Sequence, residues 1–236
     1  MALPKLEVPI YELTVPSTDE KIKYRPFLIK EEKILLIAME AQEQSGILNA
    51  VKDIVKSCTF DKFDVNKAPI FDIEYIFLNI RAKSVGEVST VNLRCPDDNE
   101  TFVQTDIDLT KVDVQLTKGH TNKIELTDEM GMIMTYPTLD SFTDSTTVIN
   151  ASNMLDVIAS CVAQIYDKKG EDVYDAKDST KQEIVDFIES LNSKQFKEIQ
   201  NFFDTSPKLT HTVTIENPKT KVKSDITLTG LNDFFV

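Results

Sequence analysis

The stretch YRPFLIKEEKILLIAME, from Tyr24 to Glu40, places a strand, a proline and an apolar helix directly after one another. Pro26 biases Arg25 toward an extended backbone. Glu31 and Glu32 follow, at a position where carboxylates complement the partial positive charge of a helix N-terminus. The apolar residues after them recur with the spacing of a helix. The stretch therefore predicts a strand end that leads into a helix of the core.

The same helical spacing recurs along the chain. Pro69 precedes a segment that is apolar over more than half of its helical circumference, which predicts a largely buried helix. Leu35, Leu36, Phe71, Tyr75 and Phe77 lie on apolar helical stripes, so we expect them to be mostly buried. The predicted helices cover about residues 30–44, 46–57, 70–85, 151–166, 180–191 and 193–203.

Alternating polar and apolar residues around turn signals predict antiparallel hairpins. The chain contains four such patterns: one over residues 8–26, two within residues 87–136, and one around Asn217–Thr220. The predicted fold class is α+β, with antiparallel β-hairpins packed against about five or six helices. A Ser/Thr/Asp-rich stretch suggests two domains, 1–145 and 146–236, with the last hairpin joining the core.

Composition limits the classes of function. The 236 residues carry a net charge of −13, which disfavours binding to phosphate backbones and to anionic membrane surfaces. The three cysteines are scattered and form no CxxC, so a disulfide framework is not expected. The start of the chain lacks the pattern of a signal peptide, and no apolar run reaches membrane-spanning length. We therefore expect a soluble, intracellular protein that binds neither nucleic acid nor membrane.

Motifs of catalysis and of cofactor binding are not found in the sequence. His120 and His211 have no obvious partners. The segment CPDDNE, from Cys95 to Glu100, places one thiol near three acids, but its spacing fits neither a zinc ribbon nor an EF-hand loop and is typical of a turn. We predict no catalytic residue, no cofactor, no metal and no small-molecule substrate, although carboxylates distant in sequence can still meet in space.

Two segments carry a family resemblance. VPSTDEKIKYRPFLIKEEKILLIAMEAQ resembles the N-terminal segment of the baseplate hub proteins of T-even-type contractile-tailed bacteriophages, and FDIEYIFLNIRAKSVGE, from Phe71 to Glu87, resembles the second helix of that family. The matching positions of the first segment are Pro16, Ser17, Tyr24, Arg25, Pro26, Phe27, Leu28, Lys30, Glu31, Glu32, Lys33, Leu35, Leu36, Ala38 and Glu40.

The resemblance implies a non-enzymatic structural or assembly protein of the phage tail baseplate hub, made in the host cytoplasm, which contacts other hub or tail proteins. If the protein is retained, it lies in the baseplate of the virion tail. The alternative is a chaperone for hub or tape-measure proteins that is absent from the mature virion.

The junction between the first hairpin and its helix is the predicted docking site. Its charged residues cluster where strand meets helix, and a sheet edge can extend across chains. A second interpretation stays open, in which Arg25 pairs with Glu31 or Glu32 and only braces the hairpin against the helix. The predicted partner-binding residues are Arg25, Phe27, Lys30, Glu31, Glu32 and Lys33.

Overall fold

The computed structural model describes residues 6–41, 44–139, 141, 153–169 and 172–234. The chain forms two compact units: the first combines Met1–Gln115 with Lys208–Val236, and the second is Leu116–Pro207. Neither junction coincides with the boundary predicted after residue 145. The reason is that the last hairpin pairs with a strand that ends at Gln115, so the chain returns to the first unit.

The first unit begins with the hairpin and helices that the opening stretch predicts. Its three helices are α1 (Ile29–Glu40), α2 (Gln44–Cys58) and α3 (Ile70–Ser84). Its strands are β1 (Tyr11–Thr14), β2 (Lys21–Tyr24), β3 (Val88–Arg94), β4 (Phe102–Asp108), β5 (Asp113–Gln115), β10 (Lys208–Glu216) and β11 (Lys223–Thr229).

Three antiparallel sheets build this unit. The pairs β1–β2 and β3–β4 are two-stranded, whereas β10 lies between β11 and β5. The strands alternate buried and exposed residues, as in the burial pattern of β3, because each sheet turns one face toward apolar side chains. The C-terminal half of α3 packs on this core through Leu78 and Ala82, together with Ile107 of β4 and Leu209 of β10. These pairings confirm the first hairpin, the hairpin after residue 87 and the C-terminal hairpin.

The second unit is a four-stranded antiparallel sheet covered by helices. The strand order is β6-β7-β8-β9, and the core joins Met132 and Met134 of the sheet to Ile199 and Phe202 of a helix. Its strands are β6 (Lys123–Glu125), β7 (Met130–Met134), β8 (Val162–Asp167) and β9 (Val173–Asp175). Its described helices are α4 (Met154–Ser160), α5 (Lys181–Glu189) and α6 (Ser193–Thr205).

Two capping boxes explain where α5 and α6 begin. The hydroxyl of Thr180 accepts a hydrogen bond from Glu183 N–H, and the side chain of Asn192 accepts from Lys194 and Gln195 N–H. Caps of this type stabilise a helix start by about 1 kcal/mol. The fold class predicted from the sequence, α+β with antiparallel hairpins packed with about five or six helices, is confirmed.

One predicted helix is wrong in its second half. Residues 151–166 were expected to be a single helix, but α4 ends at Ser160 and Val162–Asp167 form β8. The helical part of the prediction before residue 153 lies outside the described residues. Val162 and Ile165 pair across to β7 instead of facing a helical core, because β-branched residues suit a pleated sheet and the pairing overrides a short helical period.

Candidate partner-binding surface

A buried ion pair connects the first hairpin to α1 and α2. The guanidinium Nη2 of Arg25 lies 2.9 Å from Oε1 of Glu31 and donates to Oγ of Ser57, also at 2.9 Å. Its Nη1 donates to the carbonyl of Pro26 at 2.9 Å, and the backbone N–H of Arg25 donates to the carbonyl of Cys58. We call Arg25, Glu31 and Ser57 the clasp, because the three side chains hold one strand end and two helices together.

Glu31 is the central acceptor of the clasp. Only 3% of it is exposed, and its Oε2 accepts the N–H of Leu28 at 2.8 Å, while Ser57 Oγ donates to Oε1 at 3.1 Å. Burial by itself would raise the pKa of this carboxyl. The hydrogen bonds from Arg25 and Leu28 and the charge of Arg25 outweigh burial and lower the pKa to about 2. Glu31 is therefore a charged group inside the unit, stabilised only by its partners.

The other predicted site residues divide into two groups. Phe27 is buried, and its backbone N–H donates to Ser84 Oγ of α3 at 2.9 Å. Lys30 and Lys33 are exposed and Glu32 is half-buried; the Nζ of Lys30 lies 3.3 Å from Glu31. The structure thus brings Arg25, Phe27 and Glu31 together beneath α1 and leaves the two lysines on its surface.

A second tie fixes the hairpin turn. The backbone N–H of Ser17 donates to Oδ1 of Asp72 at 3.1 Å, and the Ser17 hydroxyl donates to Oδ2 of the same carboxylate. Asp72 is buried in the first turn of α3. Ser17 precedes β2 and binds α3, whereas Arg25 follows β2 and binds α1 and α2. Both ends of β2 are therefore fixed to helices.

The outward face of α1 has five large apolar side chains that no described element covers, with the exposed Lys33 and Glu40 among them. Ile29, Ile34, Leu36, Ile37 and Met39 are each between 45% and 79% exposed. At about 100° per residue they extend over about 220° of the helix circumference. We call these five residues the α1 surface. Exposed large apolar side chains in this number make the face a candidate interaction site.

The inward face of α1 is narrow and contains a carboxylate. Glu31 is its buried residue, and Leu35 and Ala38 beside it are half-buried. The prediction that Leu36 is buried is wrong, since Leu36 is 54% exposed, and Leu35 and Tyr75 are only half-buried, whereas Phe71 and Phe77 are buried as expected. We interpreted the apolar residues of α1 as one stripe that faces the core. They are in fact distributed around nearly the whole helix, and a single packed face cannot bury all of them.

Two of the thiols and one imidazole are held in structural positions. Cys58 and Cys161 are buried, which raises the pKa of each thiol to about 11. Both ring nitrogens of His120 are occupied, Nδ1 by Thr205 Oγ1 at 2.9 Å and Nε2 by the Tyr136 hydroxyl at 3.0 Å. Nucleophilic chemistry needs a thiolate or an available base, and these groups supply neither.

The acidic turn after Cys95 connects β3–β4 to the turn between β10 and β11 through hydrogen bonds. Asp97 accepts two hydrogen bonds of 3.0 Å from the amide of Asn217, in the turn between β10 and β11. Asp98 accepts from the backbone N–H and the hydroxyl of Thr101. In the part of the chain that the structure describes, no three His, Cys, Asp or Glu side chains are grouped to hold a metal ion. None of the helices described there is long and apolar enough to cross a membrane.

The family model of the T4 bacteriophage base plate protein matches residues 8–236 of the chain. No curated protein and no solved structure gives a significant match. The match includes both units, the clasp and the α1 surface. On this evidence the chain belongs to the T4 bacteriophage base plate protein family.

Proposed function

We propose that this protein is a non-enzymatic structural or assembly component of the baseplate hub, and that it acts by binding other hub or tail proteins through the α1 surface. The family supports a structural or assembly role in a phage baseplate. The assignment to the hub rests on the resemblance of the opening segment to hub proteins. We propose assembly in the host cytoplasm and, where the protein is retained, a location in the baseplate of the virion tail.

The single observation that carries the binding role is the exposure of α1. Large apolar side chains are normally buried, yet five of them on α1 face outward. Complete burial of one such side chain stabilises an interface by about 1.5–3 kcal/mol. Burial of five such side chains therefore offsets much of the cost of association.

The residues predicted for docking have distinct roles in this proposal. Lys30, Lys33 and Glu32 lie among the side chains of the α1 surface and provide polar groups within the contact. Arg25, Phe27 and Glu31 contribute from below, since their hydrogen bonds fix the orientation of the helix. Partner contact and bracing are therefore compatible, because they involve different residues of the same cluster.

The second candidate function is a chaperone that shields hub or tape-measure proteins and leaves before the virion is complete. An apolar surface on a chain with a net charge of −13 suits transient shielding, because the charge keeps the protein soluble. Mass spectrometry of purified virions separates the two: several copies in each particle support the structural component, and absence supports the chaperone.

The α1 surface is tested with Leu36→Glu combined with Ile37→Glu. Both residues are exposed, so we expect the free energy of unfolding to change by no more than about 0.5 kcal/mol for each substitution. Phage carrying these substitutions should fail to form the hub, as measured by sedimentation of baseplate intermediates and by the yield of infectious particles.

Val222→Glu is the matched control, since Val222 is a comparably exposed apolar residue in the turn between β10 and β11. It should assemble normally. Normal hub formation by the α1 variant, with the fold verified by circular dichroism, would show that α1 is not the docking surface.

A further inference from the structure

The second unit contains a sheet edge whose backbone groups point away from the sheet. β6 pairs with β7 only. Met134 N–H donates to the Asn122 carbonyl at 2.8 Å, and Leu126 N–H donates to the Met130 carbonyl at 3.0 Å. In an antiparallel pair, residues that bond to the partner strand alternate with residues that do not. Ile124, midway between Asn122 and Leu126, therefore bonds to β7, and its two neighbours face outward.

These outward neighbours are Lys123 and Glu125. The N–H of Lys123 already donates to Thr121 Oγ1 at 3.1 Å. The carbonyl of Lys123 and both backbone groups of Glu125 have no hydrogen-bond partner among the described residues. One donor and two acceptors are thus arranged along the outer edge of β6, in the pattern that another strand requires.

A cleft of about 980 Å³ lies along this edge, and α6 forms its opposite wall. At one end of the cleft Gln195 Nε2 donates to the Leu126 carbonyl at 3.3 Å, and at the other end Thr205 contacts His120. Gln195 and Thr205 are ten residues apart on α6, which corresponds to about 15 Å. An extended chain rises about 3.3 Å per residue, so the cleft has the length of about four to five residues of strand.

Each end of the cleft has an exposed lysine, although Asp128 and Glu198 also line the cleft. Lys194 lies at the end near Gln195, and Lys118 lies at the end near His120. Both are exposed, and neither forms an ion pair within the described chain. The other cleft lysines are engaged: Lys168 pairs with Glu125, and the ammonium of Lys123 lies 5.2 Å from the centre of the Tyr166 ring.

We propose that this cleft binds an extended segment of another protein, which adds to the sheet as a fifth strand beside β6. The segment is four to five residues long and has a carboxylate side chain near each end, where Lys118 and Lys194 lie. Backbone hydrogen bonds supply affinity in this mode of recognition, and side-chain contacts supply specificity. The site is in a different unit from the α1 surface, so it is a separate contact and does not depend on the function proposed for α1.

The first test selects binders from a random heptapeptide library on the full-length protein and measures the selected peptides by fluorescence anisotropy. We expect acidic residues four to five positions apart. Lys118→Glu combined with Lys194→Glu should weaken binding at least tenfold. Lys197→Glu is the matched control, because Lys197 is exposed on the same helix and does not line the cleft, and it should leave binding nearly unchanged.

The second test examines the backbone directly. Glu125→Pro removes the outward N–H and leaves the β7-facing groups of Ile124 in place, whereas Glu125→Gln removes the same side-chain charge and keeps the N–H. The proline variant should lose binding and the glutamine variant should retain it, with both folds verified by circular dichroism. In wild type, the bound peptide should slow hydrogen exchange at the amide of Glu125.

Methylation of the peptide backbone supplies a readout that is independent of protein variants. Methyl groups on alternate amides should abolish binding in one register and leave it intact in the other, because only every second residue bonds to β6. The proposal is overturned if the library yields no binder, or if neither the lysine reversals nor the methylation pattern changes binding. It is also overturned if a second copy of the chain occupies the cleft and the selected peptides do not displace it.

Discussion

The clasp predicts how the first unit responds to acid. The pKa of Glu31 is about 2 in the folded protein, against 4.5 for an ordinary glutamate. Between these values the unfolded chain binds a proton that the folded chain does not. Stability from Glu31 is therefore complete above pH 4.5 and is lost as the pH falls toward 2.

The magnitude follows from the shift of the pKa. Each pKa unit corresponds to about 1.36 kcal/mol, so the shift from 4.5 to about 2 amounts to about 3 kcal/mol. Glu31→Gln should lower the free energy of unfolding at pH 7 by about that amount or more, because Arg25 then stays buried without a charged partner. Near pH 2 the two proteins should be much closer in stability.

The assay is urea unfolding followed by far-ultraviolet circular dichroism at several pH values, since the chain contains no tryptophan. Glu32→Gln is the matched control, because Glu32 lies in the same first turn of α1 but outside the clasp. A Glu31→Gln protein with the same dependence of stability on pH as wild type would refute the assignment of a charged, buried Glu31. So would an equal loss of stability in the Glu32→Gln control.

Two further perturbations test other parts of the fold. Burial raises the pKa of Glu74 to about 7, although Leu231 N–H donates to its Oε1 at 3.2 Å. The free energy of unfolding should therefore fall by up to about 3 kcal/mol as the pH rises from 4.5 to 7. Glu74→Gln keeps the hydrogen-bond acceptor and should abolish this loss, as measured by urea unfolding. Gly131→Ala should destabilise the second unit by about 1–3 kcal/mol, since the added methyl group would collide with the Tyr166 side chain and approach the Ile124 carbonyl to 2.9 Å. A thermal melt of Gly131→Ala should show this loss, and Tyr166→Phe in the same chain should recover part of it.

Local patterns explain why much of the fold could be predicted. The first hairpin, β3–β4 and β10–β11 follow from alternation around turn residues, and α3 follows from its apolar period after Pro69. These signals lie within one segment of the chain. They need no information about which distant segments pack together.

The errors arose where distant pairing decides the structure. Val162 and Ile165 have a helical spacing, but their contact with β7 places them in a strand. The pairing of β10 with β5 likewise could not be predicted from either segment, because the three residues of β5 are too few to show an alternating pattern that indicates a partner. The outward edge of β6 was also beyond sequence reasoning, since it depends on strand order.

The candidate site shows the same division. The sequence indicated the cluster around Arg25 and Glu31, because unlike charges lay near one another at a strand–helix junction. It did not indicate that Leu36 and Ile37 face outward, since apolar residues around an entire helix leave the buried face undetermined. The structure settles the choice by placing Glu31 on the inward side.

This choice gives the clasp a role beyond stability. A buried ion pair is weak evidence for stability, because apolar residues of similar volume often stabilise a protein as well or better. For α1, apolar burial alone selects no single orientation, since the apolar residues occupy about 220° of its circumference as well as part of its inward side. The pairing of Glu31 with Arg25 does select one, because any other rotation of the helix would bury Arg25 without its carboxylate. We infer that the clasp holds the apolar residues of α1 outward, where the proposed partner can bind them.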